Sequence, residues 1–366
     1  MERVNILIVG AGVIGLAVAR SISEEFEDVV LVEKEKTFGR HTSSRNSEII
    51  HSGIYYPADS FKAQLCVKGN QKLYKYAEEN NIPFRNCGKL VVANSDDELS
   101  ILKELKIKGE ANGVSGLQII DEDRCKNIEP QIVAKYALEV PSTGIIDSHK
   151  LMQRLEIEAK HNDVFILYDM EVNSIKAVEK GYLVNFSNGE VFEAKTLINC
   201  AGLYSDKIAE MVGVNIERDN LRIHWCKGEY YKSSKIKNIN HLVYPVPDPK
   251  GVFLGIHLTI NLQGEVRFGP NAYYVDELNY NMDERYKPEF LKAIQKYVKL
   301  ERNDLHLDDC GIRAKLQKKD GEFRDFYIKE ESEKGFSNFI NCIGIESPGL
   351  TCCLVIAEEV KKLINS

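Results

Sequence analysis

Two apolar runs near the start of the chain are separated by a glycine-rich turn and an apolar helical stretch. Residues 4–9 (VNILIV) are rich in β-branched side chains and predict a strand buried on both faces. Glycines at 10, 12 and 15 follow, then a helical pattern to about residue 23, and a second strand at 29–32 that ends on Glu33. Strand, glycine turn, helix, strand and terminal acid in this order predict a dinucleotide-binding unit.

Each part of this pattern has a physical role. Gly10 allows a tight turn, Gly12 lets the backbone approach a pyrophosphate, and Gly15 lets helix and strand pack closely. The helix that starts at Val13 and Ile14 offers unpaired N–H groups to the anion. A carboxylate such as Glu33 accepts hydrogen bonds from ribose hydroxyls and disfavours a 2′-phosphate, which makes NADP the poorest candidate. A structural glycine turn without a nucleotide is the alternative.

The segment after Glu33 favours FAD over NAD. A classical NAD domain would continue into further βα units, whereas this chain continues through Lys34 into a polar run. Such a run suits a long cofactor laid along the sheet edge, because its hydroxyls, amides and guanidinium can satisfy phosphates and a flavin ring. The run consists of Thr42, Ser43, Ser44, Arg45, Asn46 and Ser47.

Later parts of the chain repeat the pattern of a buried strand followed by small residues. A strand at 196–199 ends on Cys200, Ala201 and Gly202, where the missing side-chain bulk brings the backbone near a ligand. A strand at 338–342 leads into a turn and a final helix from Leu350 to Ile364. In a flavoprotein the positive end of that helix would suit the N1/C2 edge of the ring, and an ordinary helix start is the alternative. The predicted contacts of this turn are Gly344, Glu346, Ser347, Pro348, Gly349, Leu350 and Thr351.

The intervening segment, from about residue 218 to 269, is rich in short strands and aromatic residues. It predicts an antiparallel sheet that covers a cleft.

We therefore predict an α/β protein, α+β overall. It has a Rossmann-like FAD-binding domain with a parallel sheet, and an inserted antiparallel-sheet substrate domain. The FAD-binding domain is expected to be discontinuous, with residues 1–82, 141–215 and 308–366. The substrate or cap domain takes residues 83–140 and 216–307. Val172 and Asn173, at the start of a predicted strand in the FAD-binding domain, add a cofactor contact.

Composition narrows the class of protein further. The chain has 366 residues, a net charge of -7 and scattered basic residues, which argues against nucleic acid as a partner. Nine cysteines without a CxxC pair predict small buried hydrophobes, and no metal site is expected. The N-terminus has no secretion-signal pattern, so a cytoplasmic location is expected, with peripheral contact at the inner face of a membrane left open.

Several stretches together resemble the D-amino-acid-oxidase-type family of FAD-dependent oxidoreductases, and within it the L-2-hydroxyglutarate dehydrogenase/oxidase group. Beyond the glycine turn, these stretches cover nearly the whole chain. Examples are 43–47 (SSRNS), 50–57 (IHSGIYYP), 87–90 (CGKL), 143–147 (TGIID), 200–206 (CAGLYSD), 244–248 (YPVPD), 254–259 (LGIHLT) and 269–272 (GPNA). The resemblance implies oxidation of the α-carbon of a small carboxylate.

The resemblance also implies where the substrate is held. Arg313, in the short motif Gly-Ile-Arg, is the predicted clamp for the carboxylate and a flavin neighbour, because a guanidinium can grip a carboxylate with two bonds. A structural ion pair is its alternative. Tyr244 could donate a hydroxyl to the same carboxylate or serve only in packing. Tyr55 and Asn271 are further polar candidates for substrate binding.

Two histidines compete for the role of general base. His51 leads because it follows the polar run inside the strongest of the resembling stretches, although a structural or flavin-attachment role is a rival. His257 is the alternative base, or a contact to a distal carboxylate.

The resemblance implies L-2-hydroxyglutarate as substrate, 2-oxoglutarate as product, and oxygen, a quinone or an electron-transfer protein as electron acceptor. The alternatives are an amine or amino-acid oxidase acting on glycine, sarcosine or a D-amino acid, then a glycerol-3-phosphate dehydrogenase. A non-catalytic FAD relay subunit comes last. Neither the oligomeric state nor covalent attachment of the flavin follows from the residues.

Overall fold

The computed structural model describes residues 1–247 and 254–365, and within them the chain forms eight α-helices and twenty β-strands. The helices are α1 (Val13–Ile22), α2 (Phe61–Glu79), α3 (Asp96–Ala111), α4 (Glu122–Ile128), α5 (Ser148–His161), α6 (Ser205–Val212), α7 (Lys287–Ile294) and α8 (Gly349–Ile364). The first ten strands are β1 (Glu2–Val9), β2 (Val29–Val32), β3 (Ile49–Ile50), β4 (Phe84–Arg85), β5 (Lys89–Ala93), β6 (Gln118–Asp121), β7 (Tyr136–Val140), β8 (Gly144–Ile146), β9 (Phe165–Leu167) and β10 (Val172–Val178). The remaining strands are β11 (Gly181–Phe186), β12 (Val191–Asn199), β13 (His224–Ser233), β14 (Leu242–Pro245), β15 (Leu258–Ile260), β16 (Val266–Phe268), β17 (Tyr273–Tyr274), β18 (His306–Lys315), β19 (Tyr327–Glu331) and β20 (Phe336–Ile343).

The chain divides into two compact units, each assembled from separate segments. The first unit contains residues 1–44, 148–225 and 313–366, and the second contains residues 45–147 and 226–312. The sequence prediction placed residues 45–82 and 141–147 with the FAD-binding domain instead. They belong to the second unit because β3 and β4 both pair with β8, which forms a small antiparallel sheet.

Two further boundaries differ from the predicted ones by a few residues. Residues 216–225 stay with the first unit, where the Trp225 indole N–H donates to the Leu203 carbonyl at 3.0 Å. Residues 308–312 stay with the second unit because β18 pairs with β13.

The first unit is built on a sheet that contains eight of the described strands, with β20, β12, β1, β2 and β9 running parallel. The VVLV sequence of β2 is buried at every position, as expected of a parallel strand covered on both faces. Helix α1 packs against α5 and α8. Parallel strands end together, so the residues that follow β1 and β12 meet at one edge of this sheet.

The second unit is built on a sheet that contains nine of the described strands and is mostly antiparallel. The pair β5 and β14 runs parallel, with Leu242 opposite Lys89 and Tyr244 opposite Val91. Leu90, Val243, Leu258 and Phe268 are in register across β5, β14, β15 and β16, and they pack into the hydrophobic core of this unit. Because side chains alternate along a strand, Lys89 and Tyr244 lie on the opposite face, and His257 immediately precedes β15.

The predicted fold class, a Rossmann-like parallel-sheet domain with an inserted antiparallel-sheet domain, is confirmed. The nine cysteines are buried and carry free thiols, in line with their prediction as small hydrophobes. Of the helices in the described part of the chain, none combines the length and the apolar composition that a bilayer crossing requires.

Candidate functional site

The glycine turn after β1 has no room for side chains at two of its predicted positions. Gly10 has a φ of +104°, and a Cβ there would lie 2.6 Å from the Cys200 carbonyl oxygen. A Cβ at Gly15 would lie 1.9 Å from the Gly10 carbonyl oxygen. At Gly12 the nearest atom to a Cβ would be the Ser43 hydroxyl oxygen at 3.0 Å. Any side chain at the first or third glycine would therefore break the strand–turn–helix unit.

Side chains of the first unit hold this turn in place. The Glu33 carboxylate accepts hydrogen bonds from the Ala11 N–H at 2.7 Å and the Glu35 N–H at 3.0 Å. The Val13 N–H, at the start of α1, donates to the Ser43 hydroxyl at 3.0 Å. The Lys34 ammonium lies 3.7 Å from the centre of the Tyr204 ring. Glu33 and Ser43 thus shape the loop itself, which the sequence prediction did not include.

The predicted polar run divides between the two units after Ser44. Within the first unit, Thr42 is half-buried and Ser44 donates a hydrogen bond to the Gly39 carbonyl. Within the second unit, Arg45 forms an ion pair with Asp309 at 3.0 Å and stacks on Tyr280 at 4.3 Å. The Asn46 side-chain oxygen accepts from the Glu48 N–H at 2.8 Å, and the Ser47 hydroxyl lies 2.8 Å from that of Tyr230.

A buried amide network, which the sequence pattern does not predict, positions the 200–202 loop after β12. The Asn199 side chain accepts from the Ala201 N–H at 3.2 Å and donates to the Ser205 carbonyl at 2.7 Å. It also donates to Asn341 at 2.8 Å, which in turn donates to Glu331 at 2.7 Å. Asn199, at the end of β12, lies opposite Asn341 of β20, and only this strand pairing brings them together.

The C-terminal turn between β20 and α8 contains a buried ion pair. The two Glu346 carboxylate oxygens lie 2.9 and 3.0 Å from the Lys315 ammonium. Gly344 has a φ of +70°, and helix α8 starts without a side-chain cap at Pro348. Gly349 and Thr351 are buried, Leu350 is half-buried and Ser347 is exposed. The turn therefore leaves the first N–H groups of a long helix without a side-chain acceptor at the cap.

In the second unit, strands β5 and β14 and the loops beside them bring four predicted residues and one unpredicted residue together. The rings of Tyr244 and His257 stack with centres 3.9 Å apart. The Lys89 ammonium lies 4.8 Å from the centre of the Tyr244 ring and 4.5 Å from that of Tyr55. We call Lys89, Tyr55, Tyr244, His257 and His51 the lysine cluster.

Lys89 is the member of the lysine cluster that the sequence analysis missed. Its side chain is 1% exposed, and within the described residues its ammonium has neither a hydrogen-bond acceptor nor a carboxylate partner. Burial lowers its pKa to about 7. Fully buried lysines are rare unless paired, and strongly shifted groups concentrate at functional sites. The sequence signal was available, since Lys89 lies within the resembling stretch 87–90.

The other members of the lysine cluster respond to the same environment. His51 is partly exposed, yet desolvation and then repulsion by Lys89 lower its pKa to about 3. Burial raises the pKa of the Tyr55 and Tyr244 hydroxyls, and neither hydroxyl has a hydrogen-bond partner among the described residues. His257 Nδ1 donates to the Gly255 carbonyl at 2.8 Å, so Nε2 is the acceptor nitrogen of the neutral ring. The cluster therefore combines a buried cation with two unsatisfied donors.

The remaining predicted residues lie elsewhere. Asn271 accepts a hydrogen bond from the Glu229 N–H at 2.8 Å. Arg313 is half-buried on β18 and belongs to the first unit. Val172 begins β10, with exposed Asn173 beside it. Asp248, the last residue of the stretch 244–248, lies outside the described residues.

A family model described as FAD dependent oxidoreductase matches residues 5–363. The chain belongs to that family. Its relatives include an L-2-hydroxyglutarate dehydrogenase, mitochondrial, from Arabidopsis thaliana, 34% identical over 98% of this chain and 83% of the relative. An L-2-hydroxyglutarate dehydrogenase from Indibacter alkaliphilus is 32% identical over 97% of both chains. The FAD-bound structure of the L-alpha-glycerophosphate oxidase from Mycoplasma pneumoniae is 27% identical, with a TM-score of 0.89 over 100% of this chain and 96% of that one.

The first unit fits FAD, the cofactor of this oxidoreductase family. Gly10 and Gly12 keep the turn after β1 free of side chains, and α1 has no side-chain cap at Gly12. This backbone and the helix start together suit a pyrophosphate. Glu33, the predicted ribose contact, directly follows β2, and α8 presents a second helix start without a side-chain cap. FAD, predicted from the sequence, is therefore the cofactor, and the individual contacting residues stay predictions.

Proposed function

We propose that this FAD-dependent oxidoreductase oxidises L-2-hydroxyglutarate to 2-oxoglutarate. The observation that carries the proposal is the identity of 34% and 32% to L-2-hydroxyglutarate dehydrogenases over nearly the full chain. The lysine cluster supports it, because a buried cation with two unsatisfied hydroxyls suits a substrate rich in carboxylate oxygens.

The reaction removes two hydrogens, one from C2 as a hydride and one from its hydroxyl group as a proton. The C–H bond of C2 breaks with its electron pair, the hydroxyl proton leaves, and the C–O bond becomes a carbonyl. Bound FAD supplies the acceptor for that hydride. The protein must hold the carboxylate, orient the C–H bond and accept the proton.

His51 is the proposed general base. A base must be unprotonated before the reaction, and a pKa lowered to about 3 keeps the imidazole neutral at physiological pH. Burial is the larger cause of this low pKa and repulsion by Lys89 the smaller one. A bound carboxylate beside Lys89 would offset the second cause, so His51 would gain proton affinity when substrate is present. His257, with Nδ1 committed to Gly255, is proposed to position Tyr244 by stacking, and Arg313 to clamp the carboxylate on C2.

The electron acceptor and the location complete the proposal. We expect oxygen, a quinone or an electron-transfer protein to reoxidise the flavin in the cytoplasm or at the inner face of a membrane.

A second candidate substrate is L-glycerol 3-phosphate. It is favoured by the similarity to the L-alpha-glycerophosphate oxidase and by the same buried lysine, which could face a phosphate. The dehydrogenase relatives have the higher sequence identity, so we rank this candidate second.

The test is anaerobic reduction of the FAD-loaded protein. L-2-hydroxyglutarate should bleach the flavin band, whereas its D-enantiomer, glycine and L-glycerol 3-phosphate should leave it unchanged. Bleaching by L-glycerol 3-phosphate alone would transfer the assignment to the second candidate. Bleaching by none of the four compounds would overturn the proposed function.

A further inference from the structure

Two buried lysines of the second unit differ in whether a carboxylate lies beside the ammonium group. Lys287, 8% exposed, has a carboxylate 3.4 Å away on Glu284. Lys89, 1% exposed, faces two aromatic rings and, within the described residues, no anion. Ring faces attract a cation but do not accept its N–H bonds as a carboxylate does. The Lys89 ammonium therefore keeps unused donor capacity.

The groups around Lys89 indicate the charge of the ligand that this site would bind. Among the described residues, the titratable groups next to Lys89 and the two tyrosines include His51, Cys66, Cys87, Tyr230 and His257. None of them is a carboxylate, and the hydroxyls of Tyr55 and Tyr244 are buried donors without acceptors. Within the part of the chain that the structure describes, this site has one cation, two O–H donors and no anion. Such a set is complementary to a carboxylate, which offers about four lone pairs on two oxygens.

We propose that Lys89 and the hydroxyls of Tyr55 and Tyr244 form a subsite for the second carboxylate of the substrate, the one remote from the oxidised carbon. The inference rests on the proposed function, and it adds that this subsite selects dicarboxylate hydroxy acids over monocarboxylate ones. His257 positions the subsite through its stack on Tyr244. A monocarboxylate would leave the ammonium and both hydroxyls buried without hydrogen-bond partners. The resulting loss of binding free energy would make monocarboxylates poor ligands.

The experiment compares glutarate with butyrate, which lacks the second carboxylate, by calorimetric titration of the FAD-loaded protein. Lys89→Met keeps the length of the side chain and removes its charge. We expect it to weaken glutarate binding by roughly 100-fold, the usual scale for removing one partner of a buried charge pair, and to change butyrate binding by less than about 2-fold. Lys287→Met is the matched control, since it removes a buried lysine outside the lysine cluster, and it should leave both affinities unchanged.

Two hydroxyl deletions keep the test decisive if Lys89→Met does not fold. Tyr55→Phe and Tyr244→Phe retain the rings that contact Lys89 and should each weaken glutarate binding by about 5-fold while leaving butyrate binding unchanged. Equal weakening of glutarate and butyrate in these variants would mean a structural role, and no weakening would mean no subsite. Either result overturns the inference.

Further ligands separate this inference from the proposed function. If L-2-hydroxyglutarate fails to reduce the flavin but glutarate binding still depends on Lys89, the proposed function fails and the dicarboxylate subsite stands. If L-2-hydroxyglutarate reduces the flavin and Lys89→Met lowers kcat/KM for it and for L-2-hydroxybutyrate equally, the subsite fails and the function stands. Inorganic phosphate or L-glycerol 3-phosphate that binds more tightly than glutarate through Lys89 would overturn the carboxylate assignment.

Discussion

Lys89 and Lys227 are two buried lysines in the same sheet of the second unit, and their surroundings differ sharply. Lys227 lies 3.5 Å from the Glu229 carboxylate and donates a hydrogen bond to the Asn281 carbonyl. Glu229 in turn accepts from the Tyr273 hydroxyl at 2.7 Å. Lys89 has ring faces on two sides and no anion within the described residues.

This contrast distinguishes a buried charge that stabilises the fold from a buried charge that binds a ligand. A compensated pair completes its interactions inside the folded chain, so its loss should appear in stability. An uncompensated ammonium costs folding free energy, because it gives up hydration without gaining an ion pair. We interpret Lys89 as a group whose stabilising partner arrives with the substrate.

The largest stability effect is expected from Lys227→Met. The substitution leaves Glu229, 1% exposed, without its cation, so the free energy of unfolding should fall by about 3–5 kcal/mol. Urea denaturation measures the loss. Lys227→Met combined with Glu229→Gln removes both charges and should recover part of it. If the Lys227→Met protein is as stable as the wild type, the ion pair of Lys227 and Glu229 does not stabilise the fold, which would contradict the proposed contrast with Lys89.

Lys89→Met is expected to act in the opposite direction. The lowered pKa of Lys89 indicates a folding cost of several kcal/mol, since each pKa unit is about 1.4 kcal/mol. The lost contacts with two rings offset part of this, so we expect a net gain of roughly 2 kcal/mol at pH 7. Urea denaturation in the absence of ligand gives the value, and a clear loss of stability would mean that Lys89 is a structural cation.

The gain from Lys89→Met should depend on pH in a defined direction. Between about pH 7, the folded pKa, and about pH 10.5, the unfolded pKa, the unfolded chain holds a proton on Lys89 that the folded chain has released. The stability of the wild type relative to Lys89→Met therefore rises with pH through this window. Thermal melts at pH 7 and 10 should show the advantage of the variant shrinking, and a constant difference would contradict the shifted pKa.

The smallest effect is expected from Tyr244→Phe. Its hydroxyl is buried without an acceptor among the described residues, so removing it should change the free energy of unfolding by no more than about 1 kcal/mol, in the stabilising direction. Tyr182→Phe is a matched control, since the Tyr182 hydroxyl donates to the Ser337 carbonyl at 2.8 Å and its removal should destabilise. Equal losses in the two variants would mean that the Tyr244 hydroxyl is satisfied.

Much of the first unit could be predicted from sequence because its signals are local. The apolar run at 4–9, the three glycines and Glu33 lie within about thirty residues, and each has a stereochemical reason to be there. The network of Asn199, Asn341 and Glu331 could not be predicted, because it depends on which strands become neighbours.

The lysine cluster depends even more on register. Tyr244 and His257 were selected by resemblance, but their stacking follows from the pairing of Val243 with Leu258. Lys89 joins them because β5 pairs with β14, although more than 150 residues separate Lys89 from Tyr244 along the chain. The domain boundary after Ser44 was missed for a similar reason, since the pairing of β3 and β4 with β8 is not local.

The most direct measurement is the proton uptake that accompanies glutarate binding, obtained by calorimetry at pH 8 in two buffers of different ionisation enthalpy. With a pKa of about 7, free Lys89 is about 10% protonated at that pH, and pairing with a carboxylate should raise the pKa. The wild type should therefore take up close to one proton per glutarate, and Lys89→Met should take up much less. Glutarate binding by the wild type without proton uptake would contradict the assignment of Lys89 to the substrate carboxylate.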